Sequence, residues 1–158
     1  MATITTYHKG DMLFESEIGN HTISIDVPDS MGGSDRGPTP PQIFIASLGS
    51  CIGAFVANYC NNVGIDTTGL HVDVTFEKVE DPSRLPNVKV QVNVPNGKIK
   101  GREKALLRVA GHCPVHEDLH SGRCRHRFQR QRVGRSAFFL CSRSVGGLLV
   151  ARFTGPVA

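Results

Sequence analysis

Short stretches of alternating apolar and polar residues open the chain. Residues 3–8, 13–17 and 21–27 each predict a strand, with turn signals at Gly10-Asp11 and Gly19-Asn20 between them. A meander of three antiparallel strands is expected, followed by a loop over 28–37 that is rich in Gly, Ser and Asp. The pattern then changes. Residues 42–65 carry no charged side chain. They predict a long helix that starts near Pro40-Pro41, where proline is tolerated in the first turn, with Thr39 as candidate N-cap and Asn62 to Gly64 as its end. Its apolar span, 43–57, is interrupted by Ser47, Gly49, Ser50 and Gly53. That is short and polar for a membrane span of about 20 apolar residues, so a helix buried on all sides is expected. Gly49, Gly53 and Ala57 recur every four residues and leave a flat stripe suited to a second helix. Alternation returns at 70–80 and 88–94, predicting a hairpin around a turn at 81–86. Residues 98–110 read as an amphipathic helix with Ala105, Leu106, Val109 and Ala110 inward. The order βββ-α-ββ-α is an α+β pattern, without internal repeats.

Composition suits one soluble globular domain: 158 residues, 39% hydrophobic and 20% charged. Residues 1–12 lack the apolar core of a secretory signal, and five widely spaced cysteines show no disulfide framework. A reduced, cytoplasmic protein is expected. Charge divides the chain. Residues 1–118 hold 10 basic and 14 acidic side chains, whereas 119–158 hold eight arginines, no lysine and no acid. A domain over 1–118 and an atypical Arg-rich tail over 119–158 follow. Six of the tail's arginines lie between Arg123 and Arg135, and two apolar patches at 137–141 and 147–153 come after them. Three readings of the tail stand side by side: a shifted reading frame in the gene, a nucleic-acid-binding arm, or a largely disordered segment whose 147–153 patch supplies a last strand. The body itself has no excess of positive charge, so neither nucleic acid nor a membrane is an expected partner of the domain.

Two cysteines stand in settings where a thiol can react. Cys51 lies about three turns into the long helix, beyond reach of the helix dipole, and burial alone would make it inert. A reactive Cys51 needs a cation from elsewhere, and Arg36 in the preceding loop is the nearest candidate. Otherwise Cys51 is a packing residue. Cys113 precedes Pro114, which fits the first position of a short helix, so Cys113 would cap it where exposed N–H groups favour a thiolate. His112 and His116 flank it. Local physics favours Cys113 as the nucleophile, with a capping role as the alternative. Cys60, nine residues after Cys51, points the opposite way and reads as packing. Cys124 and Cys141 receive no role.

The segment GPTPPQIFIASLGSC (37–51), with GHCPVHEDL (111–119), resembles the OsmC/Ohr family of peroxide- and osmotic-stress proteins, over about residues 1–119. It is more similar to the OsmC-like branch than to the Ohr branch. The resemblance implies an intertwined homodimer with antiparallel sheets wrapped around long central helices. It also implies a thiol peroxidase without cofactor or metal, in which Cys51 attacks an organic hydroperoxide and Cys113 resolves the sulfenic acid as a disulfide. A dithiol, lipoyl-type in the Ohr branch, would then reduce it. Phe44, Leu48 and Phe55 could line an alkyl-accepting pocket, although core packing is the expected role of each. Two departures matter. Family members often pair a glutamate at the helix start with an activating arginine, and this chain has Pro41 and Gln42 there. The tail is the second. Arg36, Gln42 and His116 are the candidate tuning residues.

Other chemistry remains open at this stage. His116-Glu117-Asp118-Leu119-His120 matches the H-E-x-x-H zinc-hydrolase pattern, without an evident third ligand. Cys113, His116, His120 and Cys124 could hold a structural zinc. A non-catalytic binding module on the same fold is the third alternative.

Overall fold

A computed structural model describes residues 2–81, 83–121 and 150–154. The chain forms two compact units that divide between Ser47 and Leu48.

In the first unit, β1 (Thr5–Gly10), β2 (Leu13–Ile18) and β3 (His21–Ile25) form the expected antiparallel meander, in that order. Positive φ at Gly10, Asp11 and Gly19 makes the two reversals, and these are residue types that tolerate the left-handed region. Register places Thr6, Ser16 and Ile23 on one face. There the Thr6 and Ser16 hydroxyls meet at 2.8 Å.

The long helix α1 (Pro40–Asn62) starts in the first unit and supplies the core of the second. Its start carries the back-reaching half of a capping box. The Thr39 carbonyl accepts the first helical bond from the Ile43 N–H at 3.1 Å. Gln42 Oε1 reaches back to accept from the Thr39 N–H at 2.7 Å and the Thr39 hydroxyl at 3.0 Å. Pro40 and Pro41 remove two N–H groups that would otherwise lack partners. The helix ends in a Schellman motif: Gly64 is left-handed at φ 71, and the Ile65 N–H donates to the Cys60 carbonyl at 2.9 Å.

The second unit's sheet runs β4 (His71–Thr75), β7 (Lys89–Asn93) and β8 (Val150–Thr154). The first pair is antiparallel and the second parallel. A two-residue hairpin, β5 (Val79–Glu80) with β6 (Ser83–Arg84), interrupts the connection. Two helices follow, α2 (Glu103–Gly111) and α3 (Pro114–Ser121). Leu48, Ile52, Val56 and Cys60 recur every four residues along α1. They pack with Val90 and Val92 of β7 and with Leu106 and Ala110 of α2. α1 is long and apolar enough to cross a membrane by length and composition, and this row of side chains sits in the protein core instead.

Four expectations need correction. α1 is not buried on all sides: Phe44 is 40% exposed and Phe55 36%, while Leu48 alone of the three supposed pocket residues is in the core. The glycine stripe faces a sheet of the same chain rather than a second helix. A Cβ at Gly49 would lie 3.2 Å from Val74 Cγ2, and one at Gly53 would lie 3.3 Å from Val72 Cγ2. The missing side chains let α1 lie close on β4. The strand expected over 70–80 ends at Thr75, and beyond it the Glu77 N–H bonds the Pro86 carbonyl at 3.3 Å. The helix expected from residue 98 starts at Glu103, because Gly101 takes a left-handed φ of 80 that a helix excludes. The arginine cluster from Arg123 to Arg135, Cys124, and the patch at 137–141 with Cys141 lie outside the described residues.

Replacing Gly49 by Leu should force α1 away from β4. The expected cost is about 1–3 kcal/mol of stability, read from the urea midpoint. An unchanged midpoint would contradict the close packing.

Candidate active site

Cys51 and Cys113 are joined by a disulfide across 62 positions, with their Cα atoms 5.9 Å apart. That separation is ordinary for a disulfide. Each sulfur is set by a different device. Cys51 rides on the side of α1, held by core neighbours Leu48 and Ile52, and stays partly exposed. Cys113 is fully buried in the core at the junction of α2 and α3. Leu106 and Ala110 anchor α2 in that core, and Arg102 Nη1 ties its start to Tyr59 Oη of α1 at 3.3 Å. The chain then reverses: the His112 N–H bonds the Val109 carbonyl at 3.1 Å. Cys113 caps α3, its carbonyl accepting from the Glu117 N–H at 2.9 Å. The His116 N–H points at Cys113 Sγ, 3.5 Å away.

His116 therefore meets the site through its backbone. Its ring Nδ1 lies 3.2 Å from the Gly111 carbonyl, a geometry that assigns the proton to Nδ1. Among the described residues no group of three or more His, Cys, Asp or Glu could hold a metal ion. A Cys113 tied to Cys51 has no thiolate to offer zinc. The side chains of Asp118, Leu119 and His120, and the whole of Cys124, lie outside the description, so the H-E-x-x-H and Cys/His zinc readings gain no geometry. Cys60 is fully buried, and burial pushes its thiol pKa up, as suits a packing residue.

Arg36 and Gln42 have local partners in the first unit. Gln42, in the first turn of α1, reaches back to Thr39, the pattern T-x-x-Q at 39–42. Arg36 belongs to a cluster built around Asp26, which sequence reading missed. The Asp26 side chain has no solvent exposure, yet its carboxylate accepts four bonds. They come from Arg36 Nε at 2.7 Å, the Val27 N–H at 2.9 Å, and the Ser34 and Arg36 N–H groups, both at 3.2 Å. A further Arg36 nitrogen lies 3.6 Å from Asp11. Glycine makes room for this: a Cβ at Gly33 would approach within 2.6 Å of Asp26 Oδ1, and one at Gly37 within 2.9 Å of the Ser24 carbonyl carbon. The available signal was a lone acid at the end of an apolar strand, ahead of a loop with three glycines and an arginine.

The guanidinium of Arg36 is the largest influence holding the Asp26 carboxyl well below the usual carboxylate range. The backbone N–H groups act in the same direction, and burial opposes them.

Comparison with known proteins agrees with this architecture. The family model for OsmC-like proteins matches residues 32–125, more than half of the chain. The chain belongs to the OsmC-like family. Among curated proteins no relative matches it by sequence. Among solved structures, an OsmC-like protein from Mycoplasma pneumoniae superposes with TM-score 0.71 at 15% identity, over 97% of this chain and 95% of that one. A candidate osmotic-stress-induced and detoxification response protein from Psychrobacter arcticus gives 0.68 at 24% identity, over 76% and 89%. An organic hydroperoxide resistance protein OsmC from Legionella pneumophila gives 0.57 at 16%, over 99% and 98%. At these identities the likeness is one of α+β fold.

The Asp26 cluster has a pH signature. A carboxylate with a depressed native pKa adds stability above its unfolded value of about 3.9, and that stability is lost as pH falls below it toward the native value. Asp26→Asn should therefore lower the urea midpoint at pH 7, and the deficit should shrink between pH 4 and pH 3. A deficit independent of pH would contradict the charged pair.

Proposed function

We propose that this protein reduces organic hydroperoxides with a cysteine pair, as a thiol peroxidase of peroxide-stress defence. The observation that carries the reading is the disulfide between Cys51 and Cys113. It couples a partly exposed sulfur on a helix side with a buried one at a helix cap. Exposure supports Cys51 as the sulfur that meets peroxide, although the cap position alone favours ionisation of Cys113. The presence of a hydroperoxide resistance protein among the structural neighbours supports the choice of substrate class.

In the proposed cycle the Cys51 thiolate attacks one peroxide oxygen. An S–O bond forms and the O–O bond breaks. The alkoxide leaves and takes a proton as the alcohol, and Cys51 becomes a sulfenic acid. The Cys113 sulfur displaces hydroxide from it, giving the disulfide and water. Two electrons have passed from the pair to the peroxide. A dithiol, lipoyl-type by family resemblance, returns them by exchange. Phe55, one turn beyond Cys51 on α1 and exposed, suits an alkyl-bearing peroxide.

The resemblance to the OsmC/Ohr family supports a homodimer. A reducing compartment such as the cytoplasm suits the cycle. Of the three candidate tuning residues, His116 has the most direct support, through its N–H at Cys113 Sγ. Arg36, held by Asp26 and Asp11 within the first unit, is kept as a candidate tuning residue on the family resemblance.

Cumene hydroperoxide consumption with a dithiol tests the reading. Cys51→Ser should lower turnover about a hundredfold or more, since the thiolate is the nucleophile. With the dithiol left out, Cys113→Ser should consume about one equivalent of peroxide per chain and then stall as a sulfenic acid. Parent-level turnover by Cys51→Ser would exclude Cys51 as nucleophile. No turnover by the parent would favour a non-catalytic binding module.

A further inference from the structure

Thiol–disulfide exchange requires the incoming sulfur to approach along the S–S axis, opposite the sulfur that leaves. The two ends of the Cys51–Cys113 bond differ in what they offer such an approach. Cys113 is fully buried, within the core that contains Leu106 and Ala110 of α2, with Val115 of α3 packed against it. Cys51 is partly exposed, with exposed Ala54 and Phe55 one turn along the same helix.

They differ equally as leaving groups. A sulfur expelled from the disulfide departs as an anion and needs donors where it comes to rest. The His116 N–H already points at Cys113 Sγ from 3.5 Å, in the first turn of α3, where backbone N–H groups have no helical acceptor. Cys51 has no counterpart on its own helix. It lies in mid-helix, where the neighbouring N–H groups are committed to carbonyls one turn back.

From these differences we infer that a reducing thiol attacks the disulfide at Cys51 and expels Cys113 as the leaving thiolate. The inference rests on the peroxidase reading for its place in a cycle, while its chemistry concerns the disulfide alone. The thiolate of a dithiol bonds to Cys51 Sγ. The Cys51–Cys113 bond breaks, and its electron pair stays on Cys113 Sγ, which later takes a proton. The second thiol of the reductant then displaces Cys51 from the mixed disulfide and closes the reductant's own disulfide. Two electrons move from the dithiol to the pair. Peroxide and reductant thus meet the same sulfur by the same approach, one after the other.

The test uses the full chain, oxidised to the disulfide, and no peroxide. 2-Mercaptoethanol is added; as a monothiol it cannot complete the second displacement by closing a ring. The reaction is quenched early with acid and N-ethylmaleimide, and the labels are located by peptide mapping. Mercaptoethanol should appear on Cys51 and maleimide on Cys113, with Cys51 adducts exceeding Cys113 adducts about tenfold or more. A majority of adducts on Cys113, or an even division, would overturn the inference, as would a chain that forms no linked pair on oxidation. Failure of the peroxidase reading has a separate signature: the reduced protein would leave hydroperoxide unconsumed while the label pattern stayed on Cys51.

Discussion

Close contact between α1 and β4 governs the second unit. Gly49 and Gly53 let the helix backbone sit against Val74 and Val72, with no side chain of its own between. The adjoining row of Leu48, Ile52, Val56 and Cys60 then reaches the valines of β7 and the inner side of α2. Once α1 is seated this way, Cys51 has little freedom of position. α2, fastened by Leu106 and Ala110, turns the chain so that the first residue of the α3 cap arrives beside it. The disulfide follows from the packing that seats α1 and α2.

The first unit is organised by a different force. Its strands expose most of their surface, and its loop is arranged around one buried carboxylate. Asp26 gathers three backbone N–H groups and the Arg36 guanidinium, and glycines at 33 and 37 allow the chain to come that close. Burying a charge is costly unless it is fully bonded, and here each bond favours the ionised form. The carboxylate thereby fixes where Arg36 can be.

Much of this was legible in the residues themselves. Alternation located β1 to β3, β4 and β7, and the uncharged run with its prolines located both ends of α1. The paired cysteine motifs pointed to the family, and so to sulfurs that meet. Other features were not legible, for identifiable reasons. A glycine stripe states that something lies close, not whether it is a helix or a sheet. An uncharged helix does not announce that one side stays open within a single chain, as Phe44 and Phe55 do here. Gly101 shortened α2 through a backbone angle that hydropathy does not encode. Asp26 resembled any strand-end acid, because its importance lies in donors eight and ten residues further on.

The central claim is that folding brings Cys51 and Cys113 into bonding contact as a working redox pair. The most direct measurement is non-reducing peptide mapping of the reduced protein after one equivalent of organic hydroperoxide. The account predicts a single linked peptide containing Cys51 and Cys113, with Cys60 recovered as a free thiol. Recovery of Cys51 and Cys113 both unlinked, or of either joined to a different cysteine, would contradict it.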